Sequence, residues 1–285
     1  KYKFKAFCKV NLSLRVIKKL KGGYHKIQSF VTFGDLHDDI CVSESKRSRD
    51  EIIFSGKFKN GINIKSNIIT KLLKLLRNNN QLNQKVFKIR VKKNIPHSSG
   101  LGGGSSNAAS LIKFFNLKMN LMFNKSELFK LANLVGSDVP LNLIQQNSFV
   151  TGKKLEILKL KNKFRFNILI VFSNVLCSTK IVYSKNKTIS PKISISHQII
   201  NDKKKLINFL KNERNDLEKV VVKMHPKIGK IIRAIADQKG CYFSRLTGSG
   251  SACIGIFSSM KTAALAKKII KRNFPRYWCT ISKTI

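Results

Sequence analysis

Acidic residues are scarce in this chain. Its 285 residues contain 14 Asp and Glu against 56 Lys and Arg, which gives a formal net charge of +42. Only 11 of the basic residues are Arg, the residue favoured for base and phosphate recognition, and the lysines are spread along the whole length. Lys, Asn and Ile are abundant together, as in proteins of AT-rich genomes. We therefore expect these basic side chains to lie on solvated surfaces and to attract small anions. A nucleic-acid-binding protein is a less favoured alternative.

Paired cysteines and long apolar runs are also lacking. The six cysteines are far apart, without a Cys-x-x-Cys pair or a His at zinc-ligand spacing, which weakens a zinc site and a disulfide framework. The start, KYKFKAFCKV, has no apolar signal-peptide core, and the most apolar run, FNILIVF at 166–172, is too short to span a bilayer. We expect a cytoplasmic protein with free thiols and no membrane attachment.

Apolar residues make up 42% of the chain, which predicts an ordered globular protein. Domains usually contain about 100–200 residues, so the length suits two of them. The sequence pattern changes after Gly152, and no internal repeat occurs. We place an N-terminal domain at 1–155 and a C-terminal domain at 156–285.

Hydrophobic periodicity predicts a mixture of strands and helices, and hence an α+β fold. Alternating apolar residues predict strands at 10–16, around SFVTFGDL, at 86–91, around FNILIVF and around CYFSRLTGSGSACIGIF. Apolar residues at helical spacing predict helices at 62–77, 203–222, 226–238 and 261–272. A further helix should begin with Asn124 and Glu127 as a capping box and end at Gly136.

A Gly- and Ser-rich run precedes a helical pattern in IPHSSGLGGGSSNAASLIKFF, residues 95–115. A flexible linker is one interpretation. Against it, Ala108, Leu111, Ile112 and Phe115 fall on one helical face, so the loop leads directly into a helix. Free backbone N–H groups and the positive end of the helix dipole bind phosphate at such a place.

Three common nucleotide-binding patterns are absent. Gly104 is followed by Ser105 and Ser106 and not by the Lys-Ser/Thr of a Walker loop. Ser105 also stands where the dinucleotide fingerprint needs its third glycine. His-Arg-Asp and Asp-Phe-Gly, which mark protein kinases, occur nowhere.

The loop Pro-x-x-x-Gly-Leu-Gly-Gly-Gly-Ser-Ser-Asn-Ala-Ala resembles that of the GHMP kinase superfamily of small-molecule kinases. KVNLSLRV at 9–16 and SRLTGSGSACIGIF at 244–257 match further segments of that superfamily in the expected order. GGYH, GSDVP, NDLE at 215–218 and LTGSGSA resemble the members that phosphorylate a hydroxyl of a cytidine diphosphate-linked methylerythritol. The chain departs from that family at Phe7-Cys8, where Pro-Ala is usual, at Gly22, where Asp is usual, and at 97–99, where glycines are usual.

The resemblance implies a two-domain kinase with its active site in the interdomain cleft, and ATP with Mg²⁺ as its cosubstrate. It implies a small-molecule substrate, no nucleic acid, and a monomer or weak homodimer. The ATP-binding residues that it implies are Pro96, His97, Ser98, Ser99, Gly100, Leu101, Gly102, Gly103, Gly104, Ser105 and Ser106. The metal ligands stay unknown, with the Ser106 hydroxyl as the favoured candidate.

Asp138 and Lys9 match the catalytic pair of the family. Phosphoryl transfer needs a carboxylate that takes the hydroxyl proton, and the resemblance implies that role for Asp138. An ammonium from Lys9 would keep Asp138 ionised and lower the pKa of the attacking hydroxyl. From the residues alone, the alternatives are a helix cap for Asp138 and a solvated strand lysine for Lys9.

The resemblance also implies substrate contacts. Asn11 matches a substrate-binding amide, Tyr24 a ring stacked on cytosine, and His25 a hydrogen-bond partner of the base edge. Tyr183 matches more loosely the aromatic on the other side of the base, and Thr247 and Gly248 belong to a second Gly-rich turn near the phosphates and the alcohol. The alternatives are an edge hydrogen bond for Asn11, an exposed turn for Tyr24 and His25, core packing for Tyr183, and a tight hairpin for residues 247–250. Another GHMP kinase, of the homoserine or mevalonate type, also stays open.

Overall fold

The chain forms two compact units in a computed structural model that describes residues 1–152, 156–160 and 164–285. Unit 1 consists of Lys1–Lys9, Leu36–His97 and Gly102–Gln145, and unit 2 of Val10–Asp35, Ser98–Leu101 and Gln146–Ile285. Both units contain helices and strands, which confirms the α+β class. Residue 155, the expected end of the N-terminal domain, lies outside the described residues, and that boundary stays a prediction.

Strands and helices alternate irregularly along the described chain. The strands are β1 (Tyr2–Asn11), β2 (Arg15–Lys19), β3 (His25–Ser45), β4 (Glu51–Ser55), β5 (Val86–Lys92), β6 (Ser148–Gly152), β7 (Glu156–Lys159), β8 (Asn167–Phe172), β9 (Cys241–Leu246), β10 (Cys253–Phe257) and β11 (Trp278–Lys283). The helices are α1 (Ile68–Asn78), α2 (Gly103–Lys118), α3 (Lys125–Val135), α4 (Val139–Ile144), α5 (Thr179–Lys185), α6 (His197–Asn201), α7 (Lys203–Asn212), α8 (Glu218–Met224), α9 (Pro226–Ala236) and α10 (Met260–Asn273). A 3₁₀ turn covers Lys21–Gly23.

In unit 1, helices pack on one face of a sheet. Strand β5 pairs antiparallel with Asp39–Ser45 of β3 and parallel with β4. Alternate residues of β5, among them Phe87, are buried against Leu72 of α1 and Phe115 of α2. The apolar face expected from Ala108 to Phe115 is therefore a core face of α2, and burial of that face stabilises the helix that follows the Gly-rich loop.

In unit 2, two antiparallel arrangements of strands are present. Strands β2 and β6 pair with the first part of β3, and β7 pairs with β6. A four-stranded sheet has the order β11-β8-β10-β9. The apolar run at 166–172 forms its inner strand β8, whose residues Leu169 and Val171 pack in a core with Ile231 of α9 and Ile270 of α10. Burial on both faces explains the uninterrupted apolar run.

The helix expected over 203–222 is two helices. Helix α7 ends at Asn212 and α8 begins at Glu218. The backbone between them bonds instead to Leu14: the Leu14 N–H donates to the Arg214 carbonyl at 2.9 Å, and the Asp216 N–H donates to the Leu14 carbonyl at 2.8 Å. The strand expected over 10–16 is likewise interrupted, because β1 ends at Asn11 and β2 begins at Arg15.

Candidate active site

Lys9 and Asp138 form an ion pair in unit 1. Lys9 Nζ lies 2.8 Å from Asp138 Oδ2, the Lys9 side chain is 7% exposed, and the Asp138 side chain is 41% exposed. Lys9 is therefore not a solvated strand lysine. The pair holds the ammonium of Lys9 against a carboxylate that is partly exposed and therefore open to a ligand.

The helices on either side of Asp138 determine its position in the structure. Asn124 and Glu127 form the expected capping box of α3, and the helix ends at Gly136. Asp138 then stands at the N-cap of α4, but its side chain makes no capping hydrogen bond. Its carbonyl oxygen accepts instead from Asn142 Nδ2 at 2.7 Å. The helix-cap alternative for Asp138 is therefore not observed, and its carboxylate faces Lys9.

The Gly-rich loop ends in an uncapped helix start. Gly102 has φ of +67° and stands at the N-cap of α2, which has neither a side-chain cap nor an acidic residue in its first turn. The positive φ lies in the left-handed region, where glycine carries no steric penalty. The first N–H groups of α2 consequently have no partner within the helix, as an anion site requires.

The helix start also touches the ion pair. A Cβ built at Gly102 would lie 3.1 Å from Lys9 Cβ and 3.4 Å from Lys9 Cε. Helix α2 packs against α4, the helix that follows Asp138. Unit 1 thus brings the uncapped N-terminus of α2, the ammonium of Lys9 and the carboxylate of Asp138 together.

A buried polar network lies beneath the first turn of α2, and the sequence analysis missed it. Asp38 is fully buried and contacts the ammonium of Lys93, which also donates to Asn107 Oδ1 at 3.1 Å. Asp38 Oδ1 accepts from the N–H of Asn94 at 2.8 Å and of Ile95 at 2.9 Å. Burial lowers the pKa of Lys93, and the charge of Asp38 opposes that effect. The network fixes the chain that enters the loop at Pro96, and only the scarcity of acidic residues could have drawn attention to Asp38.

Asn11 lies in a polar cluster of unit 2. Its backbone N–H donates to Thr247 Oγ1 at 2.8 Å, and its Nδ2 donates to Ser29 Oγ at 2.8 Å. Its Oδ1 is buried and has no hydrogen-bond partner among the described residues. An unpaired buried amide oxygen is costly, so Asn11 presents an acceptor that a ligand can satisfy.

His25 and Tyr183 are brought together in unit 2. Their ring centroids are 4.8 Å apart with an interplanar angle of 38°. His25 Nε2 is buried without a hydrogen-bond partner among the described residues. Burial lowers the pKa of His25, and the charge of Lys19 acts in the same direction. Tyr24 is 59% exposed, next to the 3₁₀ turn. His25 itself lies in β3, so the turn alternative does not describe it.

The second Gly-rich turn contacts the first part of the phosphate loop, which belongs to unit 2. A Cβ at Gly100 would overlap the Thr247 carbonyl oxygen, and one at Gly248 would lie 2.9 Å from the Gly100 carbonyl oxygen. Gly100 and Gly248 both have positive φ, +83° and +56°. The Ala252 N–H donates to the Ser99 carbonyl at 2.9 Å, and that of Cys177 to the Ser98 carbonyl at 3.3 Å. Residues 247–250 are thus more than a hairpin, because only glycines allow this approach.

Ser106 fits the expected metal contact. It lies in the first turn of α2, and its Oγ is buried without a hydrogen-bond partner among the described residues. Within 1–152, 156–160 and 164–285, no group of three or more His, Cys, Asp or Glu side chains could hold a metal ion. A hard cation such as Mg²⁺ prefers oxygen ligands and is commonly bound through few protein groups together with substrate phosphates.

Family comparison agrees with this geometry. The model of the GHMP kinases N-terminal domain matches residues 67–145, and that of the GHMP kinases C-terminal domain matches residues 199–276. The two matches together span more than half of the 285 residues. The chain belongs to the GHMP kinase family.

Individual relatives share one name. A protein of Pelagibacter ubique named 4-diphosphocytidyl-2-C-methyl-D-erythritol kinase is 40% identical over 285 residues, which are 100% of this chain and 99% of that protein. A protein of the same name from Anaplasma phagocytophilum is 32% identical over 282 residues, which are 98% and 93% of the two chains.

Solved structures share the fold. A crystal structure titled 4-(cytidine 5'-diphospho)-2C-methyl-D-erythritol kinase superposes with a TM-score of 0.79 at 23% identity and covers 99% of both chains. A homoserine kinase from Cytophaga hutchinsonii has a TM-score of 0.69 at 15% identity, covering 100% of this chain and 95% of its own. Both confirm the two-domain GHMP kinase architecture. Among the described residues, the helices are too short or too polar to cross a bilayer.

Proposed function

We propose that this chain transfers the γ-phosphoryl group of ATP to a hydroxyl of 4-diphosphocytidyl-2-C-methyl-D-erythritol. The observation that carries the proposal is the contact, in unit 1, between the uncapped start of α2 and Lys9, which is paired with Asp138. Phosphoryl transfer needs a phosphate cradle beside a group that takes the hydroxyl proton. The full-length relatives that carry this substrate in their name support the choice of alcohol.

The loop from Pro96 to Ser106 binds the phosphates of ATP. Backbone N–H groups at the start of α2 have no partner within the helix and no side-chain cap, and the helix dipole adds positive charge there. Ser106 Oγ would hold Mg²⁺ that accompanies the nucleotide, since it is the buried hydroxyl without a partner in that first turn. When bound, Mg²⁺ would neutralise part of the negative charge of the phosphates.

Asp138 is the general base. Its partly exposed carboxylate accepts the proton of the attacking hydroxyl, while the ammonium of Lys9 at 2.8 Å holds the carboxylate in place. Asp138 makes no capping bond in α4, so it is not committed to a structural role there. Lys9 also contributes positive charge where the hydroxyl loses its proton.

Unit 2 recognises the alcohol. Tyr24, His25 and Tyr183 take the cytosine, because aromatic rings stack on a base and the unpaired Nε2 of His25 can bond its edge. Asn11, Thr247 and Gly248 take the methylerythritol end, where the free Oδ1 of Asn11 is an acceptor for a hydroxyl. Homoserine and mevalonate need no base pocket, so this group of residues favours the cytidine substrate over those of the related kinases.

ADP formation, measured with each alcohol in turn, tests the proposal. We expect saturable ADP formation with the cytidine substrate and only background with homoserine or mevalonate. A titration with duplex DNA at several salt concentrations examines the nucleic-acid alternative, which predicts steeply salt-dependent binding. Turnover with homoserine or mevalonate alone, or none with the cytidine alcohol, would overturn the proposed substrate.

A further inference from the structure

Asn215, the first residue of the NDLE segment, has a fully bonded side chain in unit 2. Its Nδ2 donates to the carbonyl oxygens of Leu246 at 2.9 Å and Gly248 at 2.8 Å. Its Oδ1 accepts from the Leu217 N–H at 3.0 Å. Asn215 is 4% exposed. A carboxamide supplies both the two donors and the acceptor that these bonds use, whereas an ionised carboxylate supplies no donor.

The other polar residues of the segment hold neighbouring backbone. Glu218 Oε2 accepts from the Leu246 N–H at 2.8 Å, so Leu246 is held through both its N–H and its carbonyl. Asp216 Oδ2 accepts from the Val16 N–H at 2.7 Å and from Ser190 Oγ at 2.6 Å. The backbone of Asp216 bonds to Leu14. The segment 215–218 therefore joins the end of β9 to the stretch 14–16 before and within β2.

The end of β9 leads directly to Thr247 and Gly248, which the proposed function assigns to the alcohol end of the substrate. Leu246 precedes Thr247, whose Oγ1 accepts from the Asn11 N–H at 2.8 Å. Gly248, which Asn215 holds by its carbonyl, lies against Gly100. The side-chain hydrogen bonds of Asn215 go to Leu246, Gly248 and Leu217, which are not members of the base-binding group of Tyr24, His25 and Tyr183.

We propose that Asn215 is a positioning residue for the alcohol end of the substrate. It fixes the turn at Thr247 and Gly248, and through Thr247 Oγ1 the backbone N–H of Asn11, so that the hydroxyl is presented in a reactive orientation. This inference rests on the proposed function. It predicts that loss of Asn215 lowers turnover and leaves recognition of the cytidine diphosphate part unchanged, because misplacement of about 1 Å costs about 100-fold in rate.

The variant Asn215→Asp tests it with almost no change in shape. A carboxylate would face two carbonyl oxygens without a donor, so the turn must move. We expect kcat/KM for the full substrate to fall about 10- to 100-fold, while the affinity for CDP, measured by calorimetry, stays within about two-fold of wild type. Asn212→Asp is the matched control, because Asn212 is exposed and its Nδ2 donates to the Asn208 carbonyl of its own helix. The control should retain both properties.

The outcomes separate the inference from simpler explanations. Turnover close to wild type in Asn215→Asp, or an equal loss of turnover and of CDP affinity, would overturn the positioning role. Should Asn215→Asp not fold, Asn215→Ser, which is neutral and smaller, is read by the same two measurements and the same criteria. A wild-type protein that binds no CDP would contradict the proposed function itself, and the inference with it.

Discussion

At the scale of single residues, the ion pair of Lys9 and Asp138 joins a buried charge to an accessible one. Lys9 loses nearly all contact with water, and Asp138 keeps 41% of its side-chain surface exposed. Burial of an ammonium is unfavourable without a partner, so the carboxylate of Asp138 stabilises the buried position of Lys9. This asymmetry suits a base that has to meet a ligand.

The variant Asp138→Asn should keep the fold and ATP binding and lose most turnover. The amide has nearly the shape of the carboxylate but cannot accept the proton, and loss of a general base costs about 10²- to 10⁴-fold in rate. Steady-state kinetics, with thermal melting and ATP calorimetry as controls, measure this. Turnover within about two-fold of wild type would remove Asp138 from the mechanism.

The variant His25→Ala should raise KM for the cytidine substrate about 10- to 1,000-fold and leave KM for ATP nearly unchanged. Stacking on a base contributes about 1–3 kcal/mol, a buried polar partner left unpaired costs a similar amount, and each 1.4 kcal/mol is about ten-fold. Kinetics with each substrate varied at saturation of the other measure this. A defect confined to KM for ATP would move His25 out of the base pocket.

The affinity for CDP should decrease on acidification. Burial lowers the pKa of His25, so its ring is neutral at pH 7, and protonation occurs only below the ordinary value of about 6.5. Protonation would convert the unpaired, buried Nε2 from an acceptor to a donor and place a charge on a partly buried ring. Calorimetry with CDP between about pH 8 and pH 5.5 measures this, and the dependence should disappear in His25→Ala. An affinity that increases on acidification would contradict a neutral imidazole in the pocket.

At the scale of elements, the start of α2 combines the proposed nucleotide-binding site with close packing. A Cβ at Gly103 would lie 3.0 Å from Ile95 Cγ2 and 3.3 Å from Lys93 Nζ, so a larger side chain has to displace the helix start. Gly103→Val should therefore weaken ATP binding far more than CDP binding. Calorimetry with the two ligands separately measures the difference. An equal loss for both would identify the loop as a shared structural hinge.

Local sequence signals predicted many of these elements and left out their long-range partners. The Asn124 and Glu127 box, the glycine loop and the apolar face of α2 are each specified within a few residues, and the structure confirms them. The break between α7 and α8 and the network around Asp38 depend on residues that are distant in sequence, such as Leu14 and Lys93. Periodicity cannot report contacts of that kind.

At the scale of the whole molecule, the net charge of +42 opposes the compact state through repulsion. Salt screens such repulsion, with a Debye length of about 10 Å at 0.1 M. The melting temperature should therefore rise when NaCl is increased from about 0.05 M to about 0.5 M. Thermal scans at constant pH measure this, with sucrose at matched viscosity as a control. A melting temperature that is constant or falls would show that ion pairs outweigh the repulsion.

The central claim is that a GHMP kinase scaffold here serves a cytidine-linked alcohol, and a competition reaction tests it most directly. ATP, Mg²⁺ and equal concentrations of 4-diphosphocytidyl-2-C-methyl-D-erythritol, homoserine and mevalonate are incubated with the enzyme, and the phosphorylated products are quantified by mass spectrometry. At equal concentrations and low conversion, the product ratio equals the ratio of kcat/KM values. We predict that nearly all product is the phosphorylated cytidine alcohol, and that Asp138→Asn forms almost none. A predominance of phosphohomoserine or phosphomevalonate would contradict the account.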